Sequence, residues 1–314
     1  MWPADRYGLI WRGVALDSGV TEREIREAVR RHTLIPVGRG VYVTRESLGP
    51  DPGQALRDRY RLRCVAAAVG TARDCGNVLS HESAAAVLGL GTLRPDLTSI
   101  HLTNGRSNGG HRRPHRVIHS GGLRDDEVVE VNGLAVTSIS RTAVDVALSV
   151  PDFPRALSVM DSALRLGADR GVLLAELTRP RRGVARARRA LRHADGRSDN
   201  PGESWGRAQM IEAGLPVPEL QTRYRLPSGR TAICDYDWDG SVVAEFDGFG
   251  KYRREMRKPD QSADDVVIAE KLREDELRAL DLHVVRWTTE HLASGQMVPL
   301  LRRQLSRFGI LPAV

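Results

Sequence analysis

The alternation of apolar and polar positions divides the chain into stretches of different period. Near the start, Thr21-Glu22-Arg23-Glu24-Ile25 places Glu three residues after Thr, a capping box, and Ile25, Ala28 and Val29 supply the apolar stripe of a helix reaching about Arg31. Residues 34–43 then form two apolar runs about Gly38-Arg39-Gly40, the pattern of a small hairpin or wing. Helices followed by such a wing predict a winged helix-turn-helix over residues 1–50. Between 51 and 195, helical periods at 56–69, 80–88, 140–148 and 154–166 accompany strand-like runs at 98–103, 116–119 and 128–136, which predicts an α+β domain.

Residues 196–314 predict an α/β domain. Ser198 or Asn200 caps its first helix, Pro201 suits the first turn and Gly214 stops it, so Glu203 lies in the first turn with Arg207 one turn on. A surface ion pair is the plain account of Glu203 and Arg207. Two strands follow, 231–238 and 242–247, joined by Asp239-Gly240-Ser241, and the register of this hairpin decides the chemistry. A two-residue turn mixes apolar groups and carboxylates on each face, whereas a three-residue loop sets Val242 opposite Trp238 and separates them. In the second register Ala232, Cys234, Tyr236, Trp238, Val242, Ala244 and Phe246 share one face, and Asp235, Asp237, Glu245 and Asp247 the other. Burial at about 25 cal/mol per Å² favours the unbroken apolar stripe. Four carboxylates on one face repel one another unless protonated, paired with bases or holding a cation. A hard divalent ion, Mg²⁺ or Mn²⁺, with Asp235 and Glu245 as ligands, is the economical answer.

At 314 residues the chain exceeds what one core usually serves, and 41% hydrophobic with 28% charged residues is ordinary globular composition. No apolar run approaches the roughly 18–20 residues of a membrane span, and charges interrupt the N-terminal stretch, so a cytoplasmic protein with no membrane partner is expected. The three cysteines show neither CxxC nor paired spacing, and the histidines are read as surface or hydrogen-bonded side chains rather than as a metal site. The net charge of +7 is segregated: residues 1–195 hold 30 Lys and Arg against 21 Asp and Glu, and 196–314 hold 17 against 19. A basic body suits contact with a polyanion such as DNA. Arg26, Arg30, Arg31 and Arg39 are the candidate contacts of the winged helix, and Arg182, Arg186 and Arg189 those of an Arg-rich helix ending near Ala194, for which a solvated linker is an equal reading. The polar, basic stretch 104–114 reads as a nucleic-acid contact or a mobile hairpin tip, the second preferred.

The order of chemical groups in the tail resembles a known family. Gly202-Glu203-Ser204, Cys234-Asp235-Tyr236-Asp237-Trp238, Glu245-Phe246-Asp247-Gly248 with Lys251-Tyr252, and Glu270-Lys271-Leu272-Arg273-Glu274-Asp275 leading to His283-Val284-Val285-Arg286-Trp287 are similar to the PD-(D/E)XK nucleases, in particular the very-short-patch-repair-like endonucleases. The preceding two thirds, through Gly38-Arg39-Gly40-Val41-Tyr42 and Ser80-His81-Glu82-Ser83-Ala84, resembles AbiEi-type antitoxins among actinobacterial transcriptional regulators. The first resemblance implies a metal-dependent DNA endonuclease in which Asp235, Glu245 and the Phe246 carbonyl ligate Mg²⁺ and Glu203 orients water or helps hold a second ion. Asp247 stands at the family's lysine position, so Lys251 or Arg273 takes that role, or the domain has lost catalysis. The second resemblance implies a DNA-binding regulator with a cognate toxin as partner, and pairing on two half-sites leaves a homodimer open by analogy.

Overall fold

The computed structural model describes residues 2–71, 76–248 and 263–311, a mixed α/β chain with 12 helices and with sheets of three, four and six strands. It divides into two compact units, Met1–Ser149 with Gly171–Pro180, and Val150–Arg170 with Arg181–Val314.

The first unit begins with β1 (Ile10–Trp11), α1 (Arg12–Asp17), α2 (Glu22–Arg30), β2 (Leu34–Gly38) and β3 (Val41–Thr44), in sheet order β1-β3-β2. The predicted capping box is present: the Thr21 hydroxyl accepts from the Glu24 N–H at 3.2 Å, and the Thr21 N–H donates to the Glu24 carboxylate at 2.7 Å. Ile10, Ala15, Ile25, Ala28 and Leu34 form a small core beneath these helices. Residue 50 is not a border between cores, because Val37, Val41 and Val43 pack into the larger cluster of Tyr60, Leu62, Leu79, Leu102 and Val136.

That larger core lies between helices and a six-stranded sheet. Its elements are α3 (Pro52–Thr71), β4 (Val78–Leu79), α4 (His81–Leu88), β5 (Ile100–Thr103), β6 (His111–Arg113), β7 (Arg116–His119), β8 (Val128–Val131), β9 (Leu134–Thr137) and α5 (Ile139–Ser149), with strand order β6-β7-β5-β4-β9-β8. Two expectations are corrected. The run 128–136 is a hairpin rather than one strand, turning at Asn132 (φ 52°) and Gly133 (φ 80°), the Asn-Gly chemistry of a tight turn. The 104–114 stretch contributes β6, which pairs with β7 at the sheet edge.

The second unit contains α6 (Phe153–Arg165), α8 (Val184–His193) and α9 (Pro201–Glu212), while α7 (Arg170–Glu176) runs across the division between the units. Then follow β10 (Glu219–Arg225), β11 (Thr231–Trp238), β12 (Val242–Asp247), α10 (Ala263–Arg278), β13 (His283–Thr288), α11 (Thr289–Ala293) and α12 (Met297–Arg307). The sheet order is β10-β11-β12-β13, antiparallel except that β13 lies parallel to β12. The border expected at residue 195 falls inside this unit, because Arg207 of α9 is buried against Asp161 of α6 with both Nη2···Oδ distances at 2.6 Å.

The hairpin has the three-residue loop: Val242 pairs with Trp238, Val243 with Asp237 and Ala244 with Tyr236. Asp239 and Gly240 both take left-handed conformations (φ 52° and 63°), and the Ser241 N–H donates to the Trp238 carbonyl at 3.1 Å. The apolar stripe nevertheless breaks. Tyr236 lies against Trp287, centroids 5.1 Å apart, whereas Ala232 and Cys234 pack with Val243, Leu277 and Leu282. The change of phase falls at Asp235, whose pairing with Gln221 of β10 is interrupted where Gln221 adopts a φ of 56°. A left-handed non-glycine residue inside a strand turns the local backbone over, and the alternation restarts beyond it.

Candidate active site and nucleic-acid interface

Glu203 is aimed by the start of α9. Asn200 caps the helix, its Oδ1 accepting the N–H groups of Gly202 and Glu203 at 2.9 and 3.0 Å, and Pro201 occupies the first turn. The Glu203 carboxylate is 5% exposed and accepts the Asp199 N–H at 2.8 Å and the Asn200 side-chain amide at 2.6 Å. A third donor joins it to β11: Gln221 Nε2 lies 3.2 Å from Glu203 and 3.2 Å from Asp235. Asp235 also accepts the Phe246 N–H at 2.8 Å. Below this group the Tyr236 hydroxyl donates to the Glu203 carbonyl at 2.8 Å, fixing α9 to the strand.

The phase change at Gln221 therefore brings Asp235 to Glu203. Burial, then the neighbouring Asp235 charge, pushes the Glu203 carboxyl up to about 8. Burial pushes Asp235 up to about 6 against the opposing bond from Phe246, and the Glu245 charge adds to the rise. A buried and a half-buried carboxylate that repel each other and share an amide donor match the donor set of a hard divalent cation, which removes both penalties at once.

Glu245, whose charge reaches Asp235, is itself held by two arginines. It is 4% exposed and lies 2.5 Å from Arg273 of α10 and 3.1 Å from Arg286 of β13, while Arg286 also reaches Glu274 at 3.5 Å. Arg273 further donates to the Ile233 carbonyl at 2.8 Å. Asp237 is not part of a shared acidic face: it accepts the Tyr224 hydroxyl at 2.6 Å and the Gly240 N–H at 2.9 Å, closing the hairpin. Nor is Arg207 a surface partner of Glu203, since both are buried in separate interactions. Asp247 ends β12 opposite Thr288, half-buried, and Lys251 lies outside the described residues.

The candidate nucleic-acid contacts divide in the same way. Arg26 and Arg30, with Arg23, which the sequence reading passed over, line a groove of about 720 Å³ between α2 and Pro36, Gly38 and Tyr42 of the hairpin. Arg39 is exposed at the tip of that hairpin, and Arg31 is held by Glu27. In the second unit Arg182 is exposed ahead of α8, but Arg186 donates to the Pro151 carbonyl at 3.4 Å and Arg189 sits 4.2 Å over the Phe153 ring. Two arginines of the basic segment are thus engaged in packing α8 to its neighbours.

One cluster has no spacing signal in the sequence. His81, His101 and His119 come from α4, β5 and β7, and one ligating nitrogen from each lies within 4.8 Å of the others. Only the pairing of parallel strands β5 and β7 brings residues 101 and 119 together.

No family model matches the chain. It is similar to Uncharacterized protein Rv2248 of Mycobacterium tuberculosis strain H37Rv, 39% identical over 122 residues, which is 37% of this chain and 44% of that protein. Uncharacterized protein MT2308 of strain CDC 1551 matches to the same extent. The match thus spans less than half the length of these curated relatives. Among solved structures, the crystal structure of RV2827C protein from Mycobacterium tuberculosis aligns with 15% identity and a TM-score of 0.37 over 72% of this chain and 84% of that one. Among the described residues no helix is long and apolar enough to cross a membrane.

Proposed function

We propose that the chain is a DNA-binding protein whose second unit hydrolyses phosphodiester bonds with a divalent cation, Mg²⁺ or Mn²⁺, held at Glu203 and Asp235. The observation that carries this reading is the convergence of buried Glu203 and half-buried Asp235 on the one amide of Gln221. The succession α9, β10, β11, β12, α10, β13, with β13 returning parallel to β12, supports it as the arrangement the nuclease resemblance implies. A bound cation would polarise a phosphate oxygen and acidify a water. Within the protein, Asn200 and the Asp199 N–H hold Glu203 in place, and Gln221 keeps Asp235 beside it. With no cation bound, Glu203, its carboxyl near 8, keeps its proton at neutral pH, and ligating the cation would release it. Duplex DNA would be gripped at phosphates by Arg26, Arg30 and Arg39 of a winged helix.

One observation favours a second reading. Arg273 and Arg286 already neutralise Glu245, so this expected ligand must leave two ion pairs before it can serve a metal. A nuclease-like unit without catalysis, within an antitoxin-like regulator, fits that arrangement.

Cleavage of supercoiled and linear DNA with Mg²⁺ or Mn²⁺ tests the choice. The nuclease reading expects metal-dependent nicking that drops about 100-fold or more in Asp235→Asn and Glu203→Gln. Tight DNA binding without cutting, equal in wild type and both variants, would transfer the function to the regulator.

A further inference from the structure

We propose that His81, His101 and His119 form a Zn²⁺-binding site in the first unit, separate from the carboxylate site, with Glu82 as the anion that orients His101.

Three observations meet there. The rings are stacked face to face, His81 on His119 with centroids 3.7 Å apart and His119 on His101 at 5.2 Å, and a lone hydrogen bond of 2.9 Å joins His101 Nδ1 to His119 Nε2. His101 is 8% exposed and its Nε2 has no hydrogen-bond partner, and neither has the buried Oε2 of Glu82, 3.8 Å from His101 Nδ1. Orphaned buried polar atoms are uncommon and call for a ligand or ion. His81 opens α4 with a φ of 50°, a left-handed backbone that a non-glycine residue adopts at a cost, and such strain gathers where a side chain must be aimed.

Nitrogen donors select zinc and its borderline neighbours over Mg²⁺ or Ca²⁺. Tetrahedral ligation at about 2.0–2.1 Å places ligand nitrogens roughly 3.3 Å apart, so the 4.8 Å cluster needs a modest inward rotation of its rings. Ligation through the orphaned Nε2 of His101 leaves its Nδ1 facing Glu82 Oε2 at 3.8 Å. The nearby Arg141 is already engaged by Glu127 at 2.9 Å and Asp145 at 2.8 Å. Three histidines leave one tetrahedral position for water or substrate, as in catalytic rather than structural zinc sites.

The test is calorimetric titration of metal-free full-length protein with Zn²⁺ against a competing chelator, with Co²⁺ as a spectroscopic substitute. Wild type, Asp235→Asn and the double variant His111→Ala/His115→Ala should each hold one equivalent at this site and give the visible bands of tetrahedral, nitrogen-ligated Co²⁺. His101→Gln/His119→Gln should lose both, and Glu82→Gln should bind about 10–100-fold more weakly. Should the His101/His119 double variant fail to fold by circular dichroism, His81→Ala, at the start of its helix, carries the same expectation. Wild type that holds no zinc, or zinc retained unchanged in the folded histidine variants, overturns the site.

Discussion

At the scale of the residue, Glu203 concentrates the tension of the carboxylate site. Its folded carboxyl, raised to about 8, lies above its ordinary value of 4.5 because burial and the Asp235 charge both oppose ionisation. Below about pH 4.5 the group is protonated in folded and unfolded chains alike, and its favourable contribution is fully present. As pH rises toward about 8 the unfolded chain has released the proton that the folded chain still holds, so that contribution is progressively lost and then stays level. Glu203→Gln removes the titration, so the variant should melt above wild type at alkaline pH, with the gap closing toward pH 5. Mn²⁺, which must displace that proton, should raise the wild-type melting temperature more at pH 8 than at pH 6 and leave the variant nearly unmoved. Parallel melting curves across this range, followed by calorimetry, would refute the assignment of the titrating group.

At the scale of the element, the site depends on how closely α9 lies over β12. Gly202, one residue before Glu203, has no room for a side chain: a Cβ there would stand 2.5 Å from Cζ of Phe246, whose own N–H holds Asp235. Gly202→Ala should destabilise the protein by about 1–3 kcal/mol, the usual cost of overpacking, and lower metal affinity by moving the two carboxylates apart. Pairing it with Phe246→Leu should recover much of the loss in a double-mutant cycle, whereas additive effects in urea melts would mean that the ring is not the obstacle. This contact could not be read from the chain, although the hairpin beside it could. Its register follows from period-two alternation and loop length, which are local properties, and Val242 does pair with Trp238. The break in the stripe depends instead on the backbone of Gln221 in a different strand, where nothing in the residue type announces a left-handed conformation. Likewise Glu203, Asp235 and Glu245 are identifiable as chemical groups in order, yet which of them meet is decided by burial and by Arg273 and Arg286, contributed from later elements.

At the scale of the whole molecule, the second unit reaches back across the turn-rich stretch that reads as a domain border. Asp195-Gly196-Arg197-Ser198 has linker composition, but the Asp195 N–H donates to Asp161 at 2.8 Å, and Arg207 pairs with that same carboxylate and with the His193 carbonyl at 2.5 Å. Local composition carries no trace of a partner 46 residues upstream. With side chains only 3% and 1% exposed, Arg207 and Asp161 are removed from water together, and separating them leaves an uncompensated buried charge at about 3–5 kcal/mol. Against the 5–15 kcal/mol that typically holds a domain folded, that loss is decisive once the apolar contacts of α6 and α8 go with it. A fragment of residues 196–314 should therefore fail to melt cooperatively or show dispersed amide resonances, while 150–314, which retains α6 and α8, should do both. In the intact chain Asp161→Ala should lower stability by a similar 3–5 kcal/mol in urea, because Arg207 stays buried without its anion. A stable, cooperative 196–314 fragment would instead make the nuclease-like sheet self-sufficient and reduce α6 and α8 to passengers on its surface.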